Sequence, residues 1–230
     1  MRLINALISD IKFQSKQGFY LVYVIITAMY LIILSLLPEN ITSIALPLVV
    51  YSDPSVLGLF FIGGIIMLEK GQGVIQVLIV SPLTTGEYIV AKVISLTIVS
   101  VAAASAITAL SFDGALNWAV FLVSVALTSG IFTLCGVVIN AGCTTVNQYI
   151  LKTIPYMLLL VLPCFSILGS NLLYPLTLIP SVAALRLMLG AFSETVWYES
   201  AALILYLFMA NFLLYKYAVK VFEKKTVYQD

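Results

Sequence analysis

Histidine is absent from the 230 residues, and charge is scarce: 9% are Asp, Glu, Lys or Arg, against roughly 25% in soluble chains. Without histidine, the commonest metal ligand and the proton shuttle of neutral pH are missing. Cysteine occurs three times, singly, at Cys135, Cys143 and Cys164 with no CxxC spacing, which suggests neither a disulfide framework nor a zinc site. The bland reading, small apolar residues inside a helix bundle, accounts for them. No G-x-x-x-x-G-K-[ST] phosphate loop occurs, and no stretch is large enough for a nucleotide-binding domain, so this sequence offers ATP no hydrolytic site.

What is present is membrane-grade: 62% hydrophobic residues and a mean hydropathy of +1.13. The pattern predicts an all-α polytopic membrane protein, one transmembrane domain over 1–230, with six spans at 19–37, 54–68, 88–110, 118–139, 153–168 and 198–215. Residues 1–17 set Ile4, Leu7, Ile8 and Ile11 on one helical face and are too often interrupted to cross, which predicts an interfacial amphipathic helix. A signal peptide is the competing reading, but no A-x-A-like site follows Leu37, so the segment is expected to be retained. Residues 44–51 are apolar but too short to span and are expected as a shallow, surface-lying or re-entrant lead-in. Asp53 and Pro54 then suit a helix cap and first position for the second span.

The third span is rich in small residues that permit close contact. A polar turn around Asp113 and Gly114 follows it, with Trp118 as an interfacial aromatic. The fifth contains Pro155 and Pro163 and is expected to kink. Residues 169–197 are divided by Pro175, Pro180 and Gly190, which predicts two short helices dipping into the outer leaflet. Arg186 within them could meet an anionic group or pair with Glu194 or Glu199, pairing being the simpler answer.

Counting basic residues sets the orientation. With six spans, Arg2, Lys12, Lys16, Lys70, Lys92, Lys152, Lys216, Lys220, Lys224 and Lys225 share one side, and Arg186 alone of the eleven falls opposite. The positive-inside rule makes that side, both termini included, cytoplasmic in a cell membrane, and the overall character is prokaryotic.

The segment 69–92, EKGQGVIQVLIVSPLTTGEYIVAK, interrupts this apolar background. Gly71 and Gly73 loosen the end of the second span, Val74 to Val80 make about two helical turns, and Ser81-Pro82 stops them. Ile75, Leu78 and Ile79 fall on one side of that helix, Gln72 and Gln76 on another. Thr84-x-x-Glu87 fits a capping box that starts the third span, and Lys92, one turn beyond Tyr88, is expected to snorkel to the interface. A well-capped loop explains these features; a rigid cytoplasmic helix that receives a push from a soluble motor explains them too.

This segment resembles the signature cytoplasmic region of the type 2 ATP-binding-cassette (ABC) exporter permeases, with Glu69, Ser81, Pro82, Glu87, Tyr88 and Lys92 at the matching places. SDPSVLGLFFIGGIIMLEK before it is similar to the branch of these permeases that exports drugs, notably fluoroquinolones. The six-span plan, the surface helix and the divided outer region are alike as well, so the likeness covers the chain.

The resemblance implies a permease subunit that dimerises, most simply as a homodimer in lipid, and binds two copies of a separate ABC-type ATPase. The ATP and Mg would sit on that ATPase, with no cofactor, metal or nucleic acid on this chain. It implies that the helix after the second span docks into the ATPase. That assigns coupling to Val74, Ile75, Gln76, Leu78 and Ile79, with Glu69 and Gln72 at the rim and Ser81, Pro82, Glu87 and Lys92 from the motif. It also implies a substrate path along the second and fifth spans, here Phe60, Phe61, Met67, Tyr156, Met157 and Phe165, although packing explains each one singly. A secondary transporter or channel acting alone, or a non-transport immunity or sensing protein, are the competing functions. Against the first, almost every charge maps to a span end.

Overall fold

The computed structural model describes residues 2–52, 56–112, 114–161, 178–193 and 197–227, which are helical with short connections and contain no strand. In chain order the helices are α1 (Arg2–Lys16), α2 (Phe19–Ser35), α3 (Glu39–Val50), α4 (Leu57–Gly71), α5 (Val74–Val80), α6 (Thr85–Ser111), α7 (Trp118–Asn140), α8 (Val146–Val161), α9 (Pro180–Ala191) and α10 (Trp197–Phe222), the last continued by a π-turn at Glu223–Val227.

Among the described residues, three helices are long and apolar enough to cross a membrane: Thr85–Ser111, Trp118–Asn140 and the continuous Trp197–Thr226. A fourth crossing results if α1 and α2, bent by 66°, are taken as one span. The bend is made at Gly18, whose φ of 79° lies in the left-handed region that costs glycine least. The helices α2, α4 and α8, of 17, 15 and 16 residues, reach only about 23–26 Å at ~1.5 Å per residue, short of a ~30 Å hydrocarbon core unless flanking residues contribute.

The bundle is organised on α7, which packs against α4, α6, α9 and α10. Its contact with α4 is close enough to need glycine on both helices. A Cβ on Gly136 would stand 2.3 Å from Ile62 Cγ2, and one on Gly58 of α4 would stand 2.4 Å from Thr133 Oγ1 of α7. Small residues at such crossings let backbones approach where no hydrophobic force drives helices together. Asn140 Nδ2 then donates to the Gly63 carbonyl at 3.2 Å, and the Tyr149 hydroxyl donates to the Leu59 carbonyl.

Two apolar clusters fill the bundle. One joins Leu46 and Val50 of α3 to Phe121 and Phe132 of α7 and to Val182, Leu185 and Met188 of α9. The other joins Ile62, Ile65 and Ile66 of α4 to Ile75 and Leu78 of α5, Ile89 of α6 and Phe222 of α10.

Several boundaries differ from the sequence expectation. The stretch at 44–51 belongs to a 12-residue helix that starts at Glu39, runs through Pro47 and is buried at Leu46 and Val50. The last helix continues seven residues past Tyr215, because Ala218 and Phe222 add fully buried contacts on one face while Lys216 and Lys220 lie on others. The fifth begins at Val146, ahead of Thr153. Asp53, Pro54, Pro163 and the first of the two short outer helices lie outside the described residues; the second is α9, buried from Ser181 to Leu185 and again at Leu187 and Met188.

Candidate functional site

The segment between α4 and α6 is built from local chemistry. Gly73, at φ 72°, turns the chain in the left-handed region and starts α5. Ser81 ends it: its hydroxyl donates to the Leu78 carbonyl at 3.0 Å and accepts from Leu83 N at 3.2 Å. The capping box then forms in both directions, with Glu87 N donating to Thr84 Oγ1 at 3.2 Å and Thr84 N donating to Glu87 Oε2 at 2.8 Å. Two helices are thus joined by a linker whose backbone groups are largely satisfied, which is what keeps a short surface helix in one place.

Beneath α5 lies a charge cluster. Lys92, fully buried, places Nζ 2.7 Å from Asp10 Oδ1 of α1 and 2.7 Å from Glu69 Oε1 of α4. Tyr88 donates its hydroxyl to Glu69 Oε2 at 2.5 Å, and the Lys92 ammonium sits 4.6 Å from the Tyr88 ring centroid. Gln14, four residues after Asp10, donates to Ser95 Oγ at 2.7 Å, and Ser95 Oγ donates to the Lys92 carbonyl. Three helices therefore meet on one ammonium group. Burial of an ion pair is tolerated only when remaining lone pairs and protons find partners, which Tyr88 supplies for Glu69.

Two sequence expectations change here. Lys92 does not snorkel outward: it is fully buried, with Nζ held 2.7 Å from each of two carboxylates. Glu69, expected at a docking rim, is 4% exposed and bound from both oxygens inside the bundle. The helix α1 turns its polar side to the bundle and leaves its apolar side on the bundle surface. Its apolar residues Ile4 and Ile8 are exposed, while Asp10 and Gln14 make the buried contacts.

On α5 itself, Ile75 and Leu78 point into the core, while Gln76 and Val77 are outward, Val77 63% exposed. Gln72, just before it, is exposed and Val74 is half-buried. The face open to a partner is therefore Gln72, Gln76 and Val77, not the Ile75, Leu78 side. Ser81, Pro82 and Glu87 border it, and Arg2 Nη1 donates to the Pro82 carbonyl at 3.2 Å, tying the start of α1 to the same linker. Of Ile79, the position in α5 alone is described.

The expected path residues have differing surroundings, although Phe60, Met67 and Met157 belong to one apolar cluster. Phe61 packs edge-on against Phe19 and Tyr23 of α2, with centroids 5.4 and 4.8 Å away. Met67 is buried, Phe60 and Met157 are half-buried, and Tyr156 is exposed on α8. Phe165 lies outside the described residues. Neither the cavity between α1 and α5 nor a second one bordered by Trp118, Phe192 and Trp197 is lined by any of them.

Sequence reasoning missed Asp10, Gln14, Ser95 and Arg2. A signal existed for the first: a lysine embedded in YIVAKVIS requires a buried counter-charge, and Asp10 with Gln14 at i+4 forms the polar stripe of α1.

The same end of the bundle collects other basic residues. Lys70 Nζ donates to the carbonyls of Asn140 and Cys143 at 3.4 and 3.1 Å, and Lys152 Nζ donates to that of Gly142 at 2.9 Å. The Lys152 and Lys225 ammonium groups each lie 3.8 Å from where a Cβ of Gly142 would stand.

Comparison with known proteins adds an independent line. The family model described as the fluoroquinolones export permease protein family matches residues 1–230. Proteins named fluoroquinolones export permease protein from two Mycobacterium tuberculosis strains, CDC 1551 and H37Rv, are each 26% identical over 197 residues, covering 84% of this chain and 82% of theirs.

Proposed function

Because this chain belongs to the fluoroquinolones export permease protein family, and is a membrane protein of an exporter, we propose that it is the transmembrane subunit of an ATP-driven efflux complex powered by a separate ABC-type ATPase. Two copies of the chain, each with six crossings, would form the membrane part, and two ATPase copies carrying ATP and Mg would bind the end where Arg2, Lys70, Lys152 and Lys225 gather. That end, with both termini, would face the cytoplasm. The substrate class that fits is hydrophobic or amphipathic, moved outward through the interface between permease copies along the second and fifth spans.

One observation carries the reading: α5 is a short helix clamped from below and presenting Gln76 and Val77 outward. Its inner residues Ile75 and Leu78 are locked into the core, and the segment behind it is tied by the Lys92 cluster to α1, α4 and α6. A rigid element of this kind transmits displacement from an attached motor to three helices at once, whereas a flexible loop absorbs it. A carrier driven by ions would need its ionisable groups near the middle of the membrane. Lys92 lies instead about 10 Å along α6 from Thr85, counting ~1.5 Å per residue.

The test is a crosslink. Gln76→Cys, in a chain otherwise free of cysteine, should bond to a cysteine scanned along the cleft of the co-purified ATPase. Ile75→Cys, whose side chain is buried, should not. Crosslinking from neither position would sink the assignment of α5, and isolation of the chain without any ATPase under conditions that preserve membrane complexes would sink the ATP-driven reading.

A further inference from the structure

The charge cluster beside α5 is not balanced. Asp10 and Glu69 bring two carboxylates to the single ammonium of Lys92, and both oxygens of Glu69 are engaged, by Lys92 and by Tyr88. Asp10 uses Oδ1 for Lys92, but its Oδ2 is buried with no hydrogen-bond partner, in a residue only 8% exposed. Leaving a charged acceptor buried and unmet costs more than the group's own hydrogen bond is worth. Asp10 and Glu69 also line one side of a cavity of about 380 Å³ between α1 and α5. Its other walls include Ala6, Val74, Val77 and Leu83. The arrangement is a space of ligand-binding size, apolar on most sides, with two carboxylates on one wall and the Arg2 guanidinium at its rim.

We propose that this cavity is a binding site for an organic cation, a primary or secondary ammonium that pairs with the Asp10 carboxylate once that side chain turns Oδ2 from its buried position toward the cavity, while an apolar body fills the space between α1 and α5. A charged hydrogen bond to a carboxylate in a poorly hydrated wall gives such a cation its preference. A hard metal ion fits less well. It takes six or more oxygen ligands, and no group of three or more potential metal-ligating side chains occurs among the described residues. Arg2 lines the exposed rim with its Nη1 on the Pro82 carbonyl, so an entering cation passes one like charge before it reaches Asp10. This site shares Val77 with the outward face of α5, so its binding is read in the absence of any ATPase.

Binding is measured on the purified full chain in nonionic detergent without any ATPase, so a failure here leaves the coupling proposal standing. The probes are 4-phenylbutylamine, 4-phenylbutanol and 4-phenylbutyrate, one body with three heads. The amine should bind at least about tenfold more tightly than the alcohol, and the acid weakest of the three. Asp10→Asn should erase the amine's advantage, and Ala6→Phe, which fills the cavity and leaves the ion pair in place, should abolish binding of amine and alcohol alike. Equal affinity for amine and alcohol, or an advantage that survives Asp10→Asn, overturns the proposal. Should Asp10→Asn fail to fold, unchanged amine affinity in Ala6→Phe overturns it equally.

Discussion

Lys92 has the most to lose from a single substitution. Replacing it with methionine keeps the length of the side chain and removes the charge, so Asp10 and Glu69 would face each other in the interior with no cation between them. Breaking a buried pair by removing one partner costs about 3–5 kcal/mol, while replacing the whole group by neutral residues is often close to neutral. Lys92→Met is therefore expected to lower the Tm of the detergent-solubilised chain sharply. Adding Asp10→Asn and Glu69→Gln to it should recover most of the loss. Tryptophan fluorescence during thermal unfolding distinguishes the cases, and a Lys92→Met chain as stable as the parent would mean that the cluster is not a stabilising contact.

At the scale of elements, the start of α6 depends on Thr84. Thr84→Ala removes the side-chain acceptor for Glu87 N and leaves Glu87 without its hydroxyl donor. The loss of such a cap is about 1 kcal/mol, which predicts roughly fivefold faster amide hydrogen exchange over the first turn of α6, with α7 unchanged. Equal exchange in both proteins would show that the α4 to α6 linker is held by other contacts. This cap was legible in the sequence because it is a relation across three residues, and so were the extent of α5 between Gly73 and Ser81 and most of α6 and α7, whose apolar runs are continuous. What could not be read depends on distant partners. The inward turn of Lys92 requires a carboxylate 82 residues earlier, and the burial of α3 through Pro47 requires α9 to cover it. The reach of α10 to Phe222 depends on a buried face that Lys216 and Lys220 conceal in the sequence. Which side of α5 lies outward was not legible for the same reason, since the core it lies on is supplied by α4, α6 and α10.

For the molecule as a whole, α2 and α10 carry broad exposed apolar faces, including Leu21, Val24 and Ile32 on one and Leu205, Phe208 and Leu213 on the other. Such surfaces suit lipid or a second copy of the chain. The gathering of lysines at the Gly142 end assigns the two ends of the bundle to different sides. With native cysteines replaced by serine, Lys224→Cys in intact cells should resist a membrane-impermeant maleimide until the cells are permeabilised, and Ala115→Cys should react at once. The reverse pattern would invert the topology. The 66° bend between α1 and α2 has its own consequence for how the chain is made. The helix α1 carries Asp10, yet its counter-ion is encoded 82 residues later. Until α6 has been synthesised and inserted, Asp10 lacks its buried partner, so the packing of α1 against α6 can form only after that insertion.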